Sequence, residues 1–274
     1  MSYYDIFALC FPDLKMTEEI FTELSRAGHS TILEEHENGR LAGFAFVEGN
    51  ALRLLCVDPQ YRNMGFGSRL LAKAEELVRA RGCREIKIGD TSSELFIGAP
   101  ECSLGFFERR GYSSDGFCDE MTRTIGDFNS ADFPIDLPQG SGFGWYSGSH
   151  EALLHAVADV DEDWTQYFTP DSRVLCAFCG GEIASFCLVD TDSQCILSDG
   201  RNKVGVIGCV GTVHRHRRKG LGLKMVALAS DELNKAGCDL CFIHYTSVAD
   251  WYAKLGYKTF LRQHFLKKAL QERN

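Results

Sequence analysis

Two long stretches of the chain carry apolar residues at helical spacing, and each predicts an amphipathic helix. The stretches are residues 67–81 and 221–236. The apolar face of the first is formed by Leu70, Leu71, Ala74, Leu77 and Val78. Gly82 follows directly, where a glycine commonly ends a helix. Further helices are predicted at 17–27, at 150–160 and just ahead of Phe107.

Shorter apolar or alternating runs between these stretches predict strands. In the first half of the chain they cover 30–35, 40–48, 51–57 and 85–89. In the second half they cover 173–179, 182–190, 204–212 and 240–245, with Gly180-Gly181 as a hairpin turn. Strands that alternate with helices in this way predict an α/β fold.

A sequence repeat divides the chain into two similar halves. Arg62-Asn-Met-Gly65-Phe-Gly67 recurs 155 residues later as Arg217-Arg-Lys-Gly220-Leu-Gly222, and Gly82-Cys83 recurs at the same offset. Phe106 to Tyr112 then matches Trp251 to Tyr257 at an offset of 145, so the first copy has ten extra residues in the loop 90–103. Three motifs in one order predict duplicated domains. We expect them at 1–127 and 142–274, joined by a Pro-, Gly-, Ser- and Asp-rich linker at 128–141.

Charge and composition narrow the choice of partners. The 274 residues carry a net charge of −9, all of it within residues 1–140, while residues 141–274 are neutral overall. An acidic first half argues against nucleic acid, because binding phosphates needs basic surface. The start of the chain has no basic residue before Lys15, and no apolar run approaches the ~18 residues of a membrane span. We therefore expect a cytoplasmic protein with no membrane partner; its oligomeric state stays open.

Twelve cysteines raise the possibility of a metal site. Two pairs have the C-x-x-C spacing of metal and redox sites, Cys176/Cys179 and Cys238/Cys241. Side chains three apart in a strand point to opposite faces, and free cysteine often behaves as a small buried hydrophobe. We expect reduced, buried thiols and no metal.

The two repeated glycine loops each lie between a predicted strand and a predicted helix. The first N–H groups of such a helix are unpaired, and the helix dipole favours negative charge. Glycine lets the backbone approach phosphate oxygens without a Cβ in the way. Each loop is therefore expected to bind an anion.

With these loops, both halves resemble the GNAT superfamily of acyl-CoA N-acyltransferases, whose R/Q-x-x-G-x-G/A motif binds the coenzyme A pyrophosphate. The resemblance covers nearly the whole chain as a tandem. It implies two α/β domains, each a mixed, mostly antiparallel sheet flanked by helices, with acetyl-CoA as co-substrate. It also implies that the strand before the loop splays from its neighbour and that pantetheine lies in the gap. The implied cofactor-binding residues are Cys56, Val57, Arg62, Asn63, Met64, Gly65, Phe66, Gly67, Ser68, Val210, Gly211, Thr212, Arg217, Arg218, Lys219, Gly220, Leu221 and Gly222.

The same resemblance implies an asymmetry between the two copies. The family places a tyrosine just before the terminal Gly-Tyr, where it protonates the leaving thiolate; here this is Tyr252, whereas the first copy has Phe107. The C-terminal domain is therefore expected to be catalytic, and Tyr112 is a less favoured donor in the first. The family's usual glutamate is missing from 204–212, so Asp250 and His244 are the candidate general bases. Tyr245 replaces an asparagine of many relatives.

The acceptor is expected to be a small primary amine. Glu162, Trp164, Tyr245 and Trp251 are the candidate substrate-binding residues, since carboxylates and aromatic rings hold an ammonium group. The tandem resembles bacterial glucosamine and glucosaminide N-acetyltransferases, which favours an amino sugar. Peptide, polyamine and mycothiol-synthase-like activities stay open. So does a regulatory protein that binds acetyl-CoA without turnover.

Overall fold

The computed structural model describes residues 1–26, 30–89, 95, 97–191 and 193–271, without the side chain of Arg26. The chain forms two compact units. Unit 1 contains Met1–Cys118, Gln194–Gly200 and Leu261–Asn274, and unit 2 contains Asp119–Ser193 and Arg201–Phe260. Neither unit is a continuous segment, so the units do not coincide with the expected boundaries at 127 and 142. Most of the ten-residue insertion, residues 90–94 and 96, lies outside the described residues.

The helices and strands follow the repeat. The first half contains α1 (Tyr3–Cys10), α2 (Glu18–Arg26), β1 (Thr31–Glu37), β2 (Arg40–Glu48), β3 (Ala51–Val57), α3 (Phe66–Ala80), β4 (Glu85–Ile88), β5 (Ala99–Pro100), α4 (Leu104–Glu108) and β6 (Ser113–Thr124). The second half contains β7 (Ser141–Trp145), α5 (His150–Ala158), β8 (Val174–Cys179), β9 (Glu182–Asp190), β10 (Val204–Thr212), α6 (Leu221–Lys235), β11 (Leu240–Thr246), α7 (Ala249–Ala253) and β12 (Lys258–Ala269). The fold is therefore α/β, as predicted.

The sheet of unit 1 receives a strand from the C-terminal end of the chain. Its strand order is β1-β2-β3-β4-β12, and the first half of β6 follows β12. Within this order β3 and β4 are parallel, and β4 and β12 are antiparallel. Leu266 of β12 pairs with Ile88 and is buried in the core beneath α3. Residues 261–269, which we expected in the C-terminal domain, thus complete unit 1.

The sheet of unit 2 is built in the same way. Its order is the second half of β6, then β11-β10-β9-β8-β7. Here β10 and β11 are parallel, and the other described pairs are antiparallel. One core cluster packs α6 and α7 against the sheet, and a separate cluster contains α5. Cys176 packs in the α5 cluster and Cys179 in another, as expected for strand residues three apart.

Several elements are absent from the sequence predictions. Helix α1 begins with a capping box between Ser2 and Asp5, a signal that could have revealed it. Strands β6 and β12 were not predicted, and the expected linker at 128–141 contains a 3₁₀ turn and runs into β7. Among the described residues, no helix combines the length and apolar character that crossing a bilayer requires.

Candidate active site

Each unit contains a pair of parallel strands whose pairing stops partway. In unit 2, β10 and β11 pair from Val204↔Leu240 to Val206↔Phe242. In unit 1 the β3–β4 pairs are Ala51↔Lys87 and Leu52↔Ile88. Beyond these points the described residues of each pair share no further register. In unit 2 this divergence leaves a gap whose edges are strand backbone, which suits an extended ligand with amide groups, because such a ligand can pair with strand N–H and C=O groups.

In unit 2 the strands on both sides of the gap are bulged. The register of β10 against β9 shifts between Gly208 and Gly211, and Cys209 has a φ of +46°. The register of β11 against β6 shifts between Ile243 and Thr246, and Tyr245 has a φ of +54°. Positive φ is uncommon outside glycine and is often found where a strand must re-aim side chains at a functional site.

The glycine loop after each of these strands has the same geometry in both units. Gly65 and Gly220 cap α3 and α6 with left-handed backbone and no side-chain cap, so the first N–H groups of both helices stay available. Arg62 Nε donates to Val57 O at 3.2 Å, and Arg217 Nε donates to Thr212 O at 3.0 Å. The 155-residue repeat therefore holds at the level of single hydrogen bonds.

Electrostatically the two loops differ. Arg217, Arg218 and Lys219 are exposed, and among the described residues none of them lies within salt-bridge distance of a carboxylate. The matching positions in unit 1 are Arg62, Asn63 and Met64, so one cation stands where unit 2 has three. In unit 1, moreover, Arg62 donates to the sulfur of Cys10 at 3.4 Å. The loop of unit 2 is the better match for a ligand that carries several phosphates.

The second motif glycine of each loop is held against an aromatic ring. A Cβ on Gly222 would lie 2.8 Å from Thr212 Oγ1 and 3.5 Å from Trp251 Cζ2. A Cβ on Gly67 would lie 3.4 Å from the ring of Phe106. This close approach, the unpaired helix N–H groups and the three cations together fit the pyrophosphate end of coenzyme A.

The rings that follow correspond one by one between the units. Tyr252 packs edge-to-face on Trp251 at 4.8 Å, and Phe107 packs edge-to-face on Phe106 at 5.0 Å. Tyr252 is almost completely buried in the core under α6, and this burial raises its pKa, so the phenol stays protonated. The geometry therefore offers a proton donor in unit 2 where unit 1 has a hydrocarbon ring.

The two candidate general bases lie in different environments. His244, on β11 beside the gap, is half-buried, and its Nδ1 lies 2.8 Å from Oε2 of Glu120. Asp250, in the first turn of α7, is exposed. Sequence reasoning missed Glu120 because it lies on β6, which was not predicted. No local signal in the sequence pairs it with a histidine 124 residues away.

The four candidate substrate residues lie in different surroundings. Trp251 lies against Gly222 on the loop side, and Trp164 packs against the α5 cluster. Glu162 is exposed on the turn after α5, and Tyr245 is 50% exposed beside His244. Trp164 of the acidic turn and Cys209, on the β10 bulge, nevertheless pack against the same core cluster. Burial and then the Asp161 carboxylate raise the pKa of Cys209 to about 11.

A thiol pair lies at β3 of unit 1, formed by Cys10 and Cys56. Cys10 donates to Val57 O at 3.4 Å, and a hydrogen bond with Cys56, together with Arg62, holds the pKa of Cys10 below its usual value. Burial raises the pKa of Cys56. Both cysteines are free thiols, as are the other ten. Among the described residues, no group of three or more potential ligands could hold a metal ion.

Family models match both halves of the chain. The acetyltransferase (GNAT) family model matches residues 1–112, and an acetyltransferase (GNAT) domain model matches residues 144–260. The uncharacterized protein YxbD of Bacillus subtilis (strain 168) is 27% identical over 104 residues, which are 38% of this chain and 61% of YxbD.

Solved structures show the same fold over the whole chain. A GCN5-related glucosamine N-acetyltransferase region of a fungal multi-domain β-N-acetylglucosaminidase superposes with a TM-score of 0.77 at 20% identity, covering 96% of this chain and 36% of that one. A GCN5-related N-acetyltransferase from Sphaerobacter thermophilus gives 0.71 at 17% identity, covering 98% and 92%. A tandem GNAT protein from the clavulanic acid biosynthesis pathway gives 0.67 at 15%, covering 98% and 94%. Together with the two family models, which account for most of the sequence, these findings show that the chain belongs to the GNAT family of acyl-CoA-dependent N-acyltransferases, as a tandem of two GNAT domains.

Proposed function

We propose that the protein transfers an acetyl group from acetyl-CoA directly to the primary amine of a small substrate, at one site in unit 2. The observation that carries the proposal is the coincidence, in unit 2, of a buried phenol, a half-buried histidine and a loop with three exposed cations around one strand gap. Bound acetyl-CoA would supply the activated acetyl thioester. Unit 1 keeps the glycine loop and the parallel β3–β4 pair but has Phe107 in place of the phenol.

Binding is assigned to the backbone and the loop. Residues Val210 to Thr212 form the gap edge on β10, and the N–H groups at the start of α6 face the phosphates, with Arg217, Arg218 and Lys219 neutralising their charge. Trp251 forms a wall of this channel, because its ring lies beside Gly222. This placement makes Trp251 a cofactor-side residue rather than a platform for the acceptor.

The proton transfers are assigned to two side chains. His244 takes a proton from the substrate ammonium, because only the neutral amine has the lone pair that attacks the acetyl carbon. As the new C–N bond forms and the C–S bond breaks, Tyr252 gives its proton to the departing sulfur, and the excess proton on the acylated nitrogen then restores the Tyr252 phenol. His244 is preferred over Asp250 because it is half-buried and held by a partner, whereas Asp250 is exposed.

The acceptor is proposed to be an amino sugar. The support is the half-exposed Tyr245 ring next to His244, which a sugar face can contact, and the Asp161 carboxylate near Cys209, which suits an ammonium group. The fungal structural neighbour is described as a glucosamine N-acetyltransferase region, a property of that protein. Polyamines and peptide N-termini are the competing acceptors.

The test is coenzyme A release by the intact protein against a panel of amino sugars, polyamines and peptides. We expect release with at least one amino sugar, and loss of that release in the Tyr252→Phe variant. Release with peptides alone would contradict the acceptor class. Release that is undiminished in Tyr252→Phe at its optimum pH would contradict the assignment of the acid.

The alternative function is an acetyl-CoA sensor that binds without turnover, and the hydrocarbon ring of Phe107 favours it for unit 1. All three tryptophans of the chain, Trp145, Trp164 and Trp251, are in unit 2. Calorimetry therefore counts all bound acetyl-CoA, while tryptophan fluorescence reports unit 2. Two bound equivalents, of which one is silent in fluorescence, would support a sensor role for unit 1. Binding without coenzyme A release for any amine would support it for the whole protein.

A further inference from the structure

Glu120 is a buried carboxylate on β6, the strand that pairs with β11 on the edge opposite the gap of unit 2. Its side chain is 0% exposed, its Oε2 lies 2.8 Å from His244 Nδ1, and the same oxygen accepts a hydrogen bond from the Tyr245 backbone N–H at 3.2 Å. A buried carboxylate is costly unless such bonds satisfy it. The hydrogen bonds of Glu120 therefore point to a role in this site that a buried apolar residue could not fill.

We infer that Glu120 is a positioning residue that fixes the His244 imidazole with its proton on Nδ1 and its lone pair on Nε2, directed to the acceptor amine. The inference rests on the proposed function and deepens it. An ionised carboxylate can only accept hydrogen bonds, so the nitrogen that faces it must carry the proton. In neutral imidazole the other nitrogen then has the free lone pair, which is the form that a general base requires.

The second bond of Glu120 supports the same arrangement through the backbone. Tyr245 has a φ of +54° at the bulge where the register of β11 shifts. The Tyr245 N–H, which the bulge takes out of the regular ladder, donates to Glu120. One carboxylate oxygen therefore holds both the ring of His244 and the strand conformation that presents it.

The other copy of the domain provides an internal comparison. The 155-residue offset places Gly89 of unit 1 at the position of His244. Ile88 pairs with Leu266 in unit 1 as Ile243 pairs with Met121 in unit 2, so Phe265 takes the position of Glu120. Unit 1 thus forms the same sheet without the carboxylate, the imidazole or the phenol. Folding alone does not require the Glu120–His244 pair, and the pair occurs in the unit that has Tyr252.

The test uses the full-length chain with ¹⁵N-labelled histidine, and the His244→Gln variant assigns the His244 signals. We expect the wild type to show His244 protonated on Nδ1. In Glu120→Gln, whose amide oxygen can still accept from Tyr245 N–H, we expect a mixture of tautomers. We expect kcat to fall about 10- to 100-fold, the range for removal of an orienting partner, with the KM for acetyl-CoA unchanged. Glu120→Asp, which keeps the carboxylate, should recover part of both signals.

The outcomes separate this inference from the function on which it rests. A wild-type His244 protonated on Nε2 overturns the inference, even if Glu120→Gln fails to fold. Wild-type kcat and tautomer in Glu120→Gln overturn it as well. If His244→Gln keeps full turnover while the wild-type ring is protonated on Nδ1, the proposed base is wrong although the pairing stands.

Discussion

The phenol of Tyr112 donates a hydrogen bond to Glu75 at 3.1 Å, and burial and then this carboxylate raise the pKa of the phenol. The matching pair in unit 2 is Tyr257 and Ser230, whose hydroxyl oxygens lie 2.7 Å apart in the core. Both tyrosines are therefore structural residues. Tyr112 connects the turn after α4 to α3, and Tyr257 connects the turn after α7 to α6. Tyr112 is held away from the role of proton donor that Tyr252 is proposed to play.

We predict that Tyr252→Phe lowers kcat and that Tyr112→Phe lowers the stability of unit 1. Tyr252→Phe should lower kcat by about two to four orders of magnitude, because a general acid typically contributes that much, with little change in the melting temperature. Tyr112→Phe should leave kcat unchanged and lower the stability of unit 1 by about 1 kcal/mol, the typical value of one hydrogen bond. Steady-state kinetics and thermal melts measure both. Loss of turnover in Tyr112→Phe with Tyr252→Phe active would reverse the assignment.

The charge difference between the two loops leads to a second prediction. Replacing Arg218 and Lys219 by the residues of the other copy, as R218N/K219M, should raise the KM for acetyl-CoA by about tenfold or more, since two charge-assisted phosphate contacts are lost. The effect should shrink at high salt, because screening already weakens these contacts in the wild type.

The reciprocal variant N63R/M64K is the matched control. It adds two cations to unit 1, at positions that already accommodate side chains, and should leave the KM for acetyl-CoA in turnover unchanged. Both pairs lie on exposed loop positions, so the melting temperature should hold. A lowered KM for acetyl-CoA in N63R/M64K together with a normal KM in R218N/K219M would place the working site in unit 1.

The origin of β12 allows a test of the unit boundaries. Leu266 is 2% exposed in the core of unit 1, and Leu266→Ala should cost about 2–5 kcal/mol, as buried leucine truncations do. We expect hydrogen exchange to increase in β3, β4 and α3 of unit 1. Met121→Ala, at the corresponding position of unit 2, should instead increase exchange in β10, β11 and α6. If Leu266→Ala loosened β10 and β11 rather than β3 and β4, residues 261–269 would belong to the C-terminal domain.

The surroundings of Cys10 lower its pKa and those of Cys209 raise its pKa, so the two cysteines should differ in reactivity. The thiolate is the reactive form, so a lowered pKa gives faster alkylation at pH 7 and a raised pKa gives slower alkylation. Cys10, with its pKa lowered by Cys56 and Arg62, should react with iodoacetamide at pH 7. Cys209, with its pKa raised to about 11, should stay unreacted until the pH approaches that value. Peptide mapping across a pH series measures both rates.

Two further results would check this prediction. Cys56→Ala removes the hydrogen bond to Cys10 and should slow its alkylation at pH 7. Incubation with acetyl-CoA in the absence of an amine should leave no acetyl adduct on Cys209 in intact-mass spectra, because a protonated thiol is a poor nucleophile. A stable adduct there would argue for transfer through an acyl-enzyme instead of direct attack.

The local features of the candidate site can be predicted from the amino-acid sequence. The two glycine loops, the long helices after them and the Trp251-Tyr252 pair follow from short-range patterns, since helical periodicity and left-handed glycine caps are properties of adjacent residues. The loops and long helices of the two copies correspond at the 155-residue offset, and so does the hydrogen bond from the loop arginine to the strand carbonyl.

The folded structure was needed to show which strands complete each unit and which side chains contact each other beside the gap of unit 2. Strand β12 joins unit 1 because it pairs with β4 and buries Leu266 in the core beneath α3, and no local pattern encodes a pairing between residues so far apart in sequence. The Glu120–His244 contact depends on the register of β6 against β11, which sets which side chains face each other across the sheet. The two glycine loops and the difference between Tyr252 and Phe107 were predicted from the sequence. The contact of His244 with Glu120, which unit 1 lacks at the corresponding positions, was found only in the folded sheet.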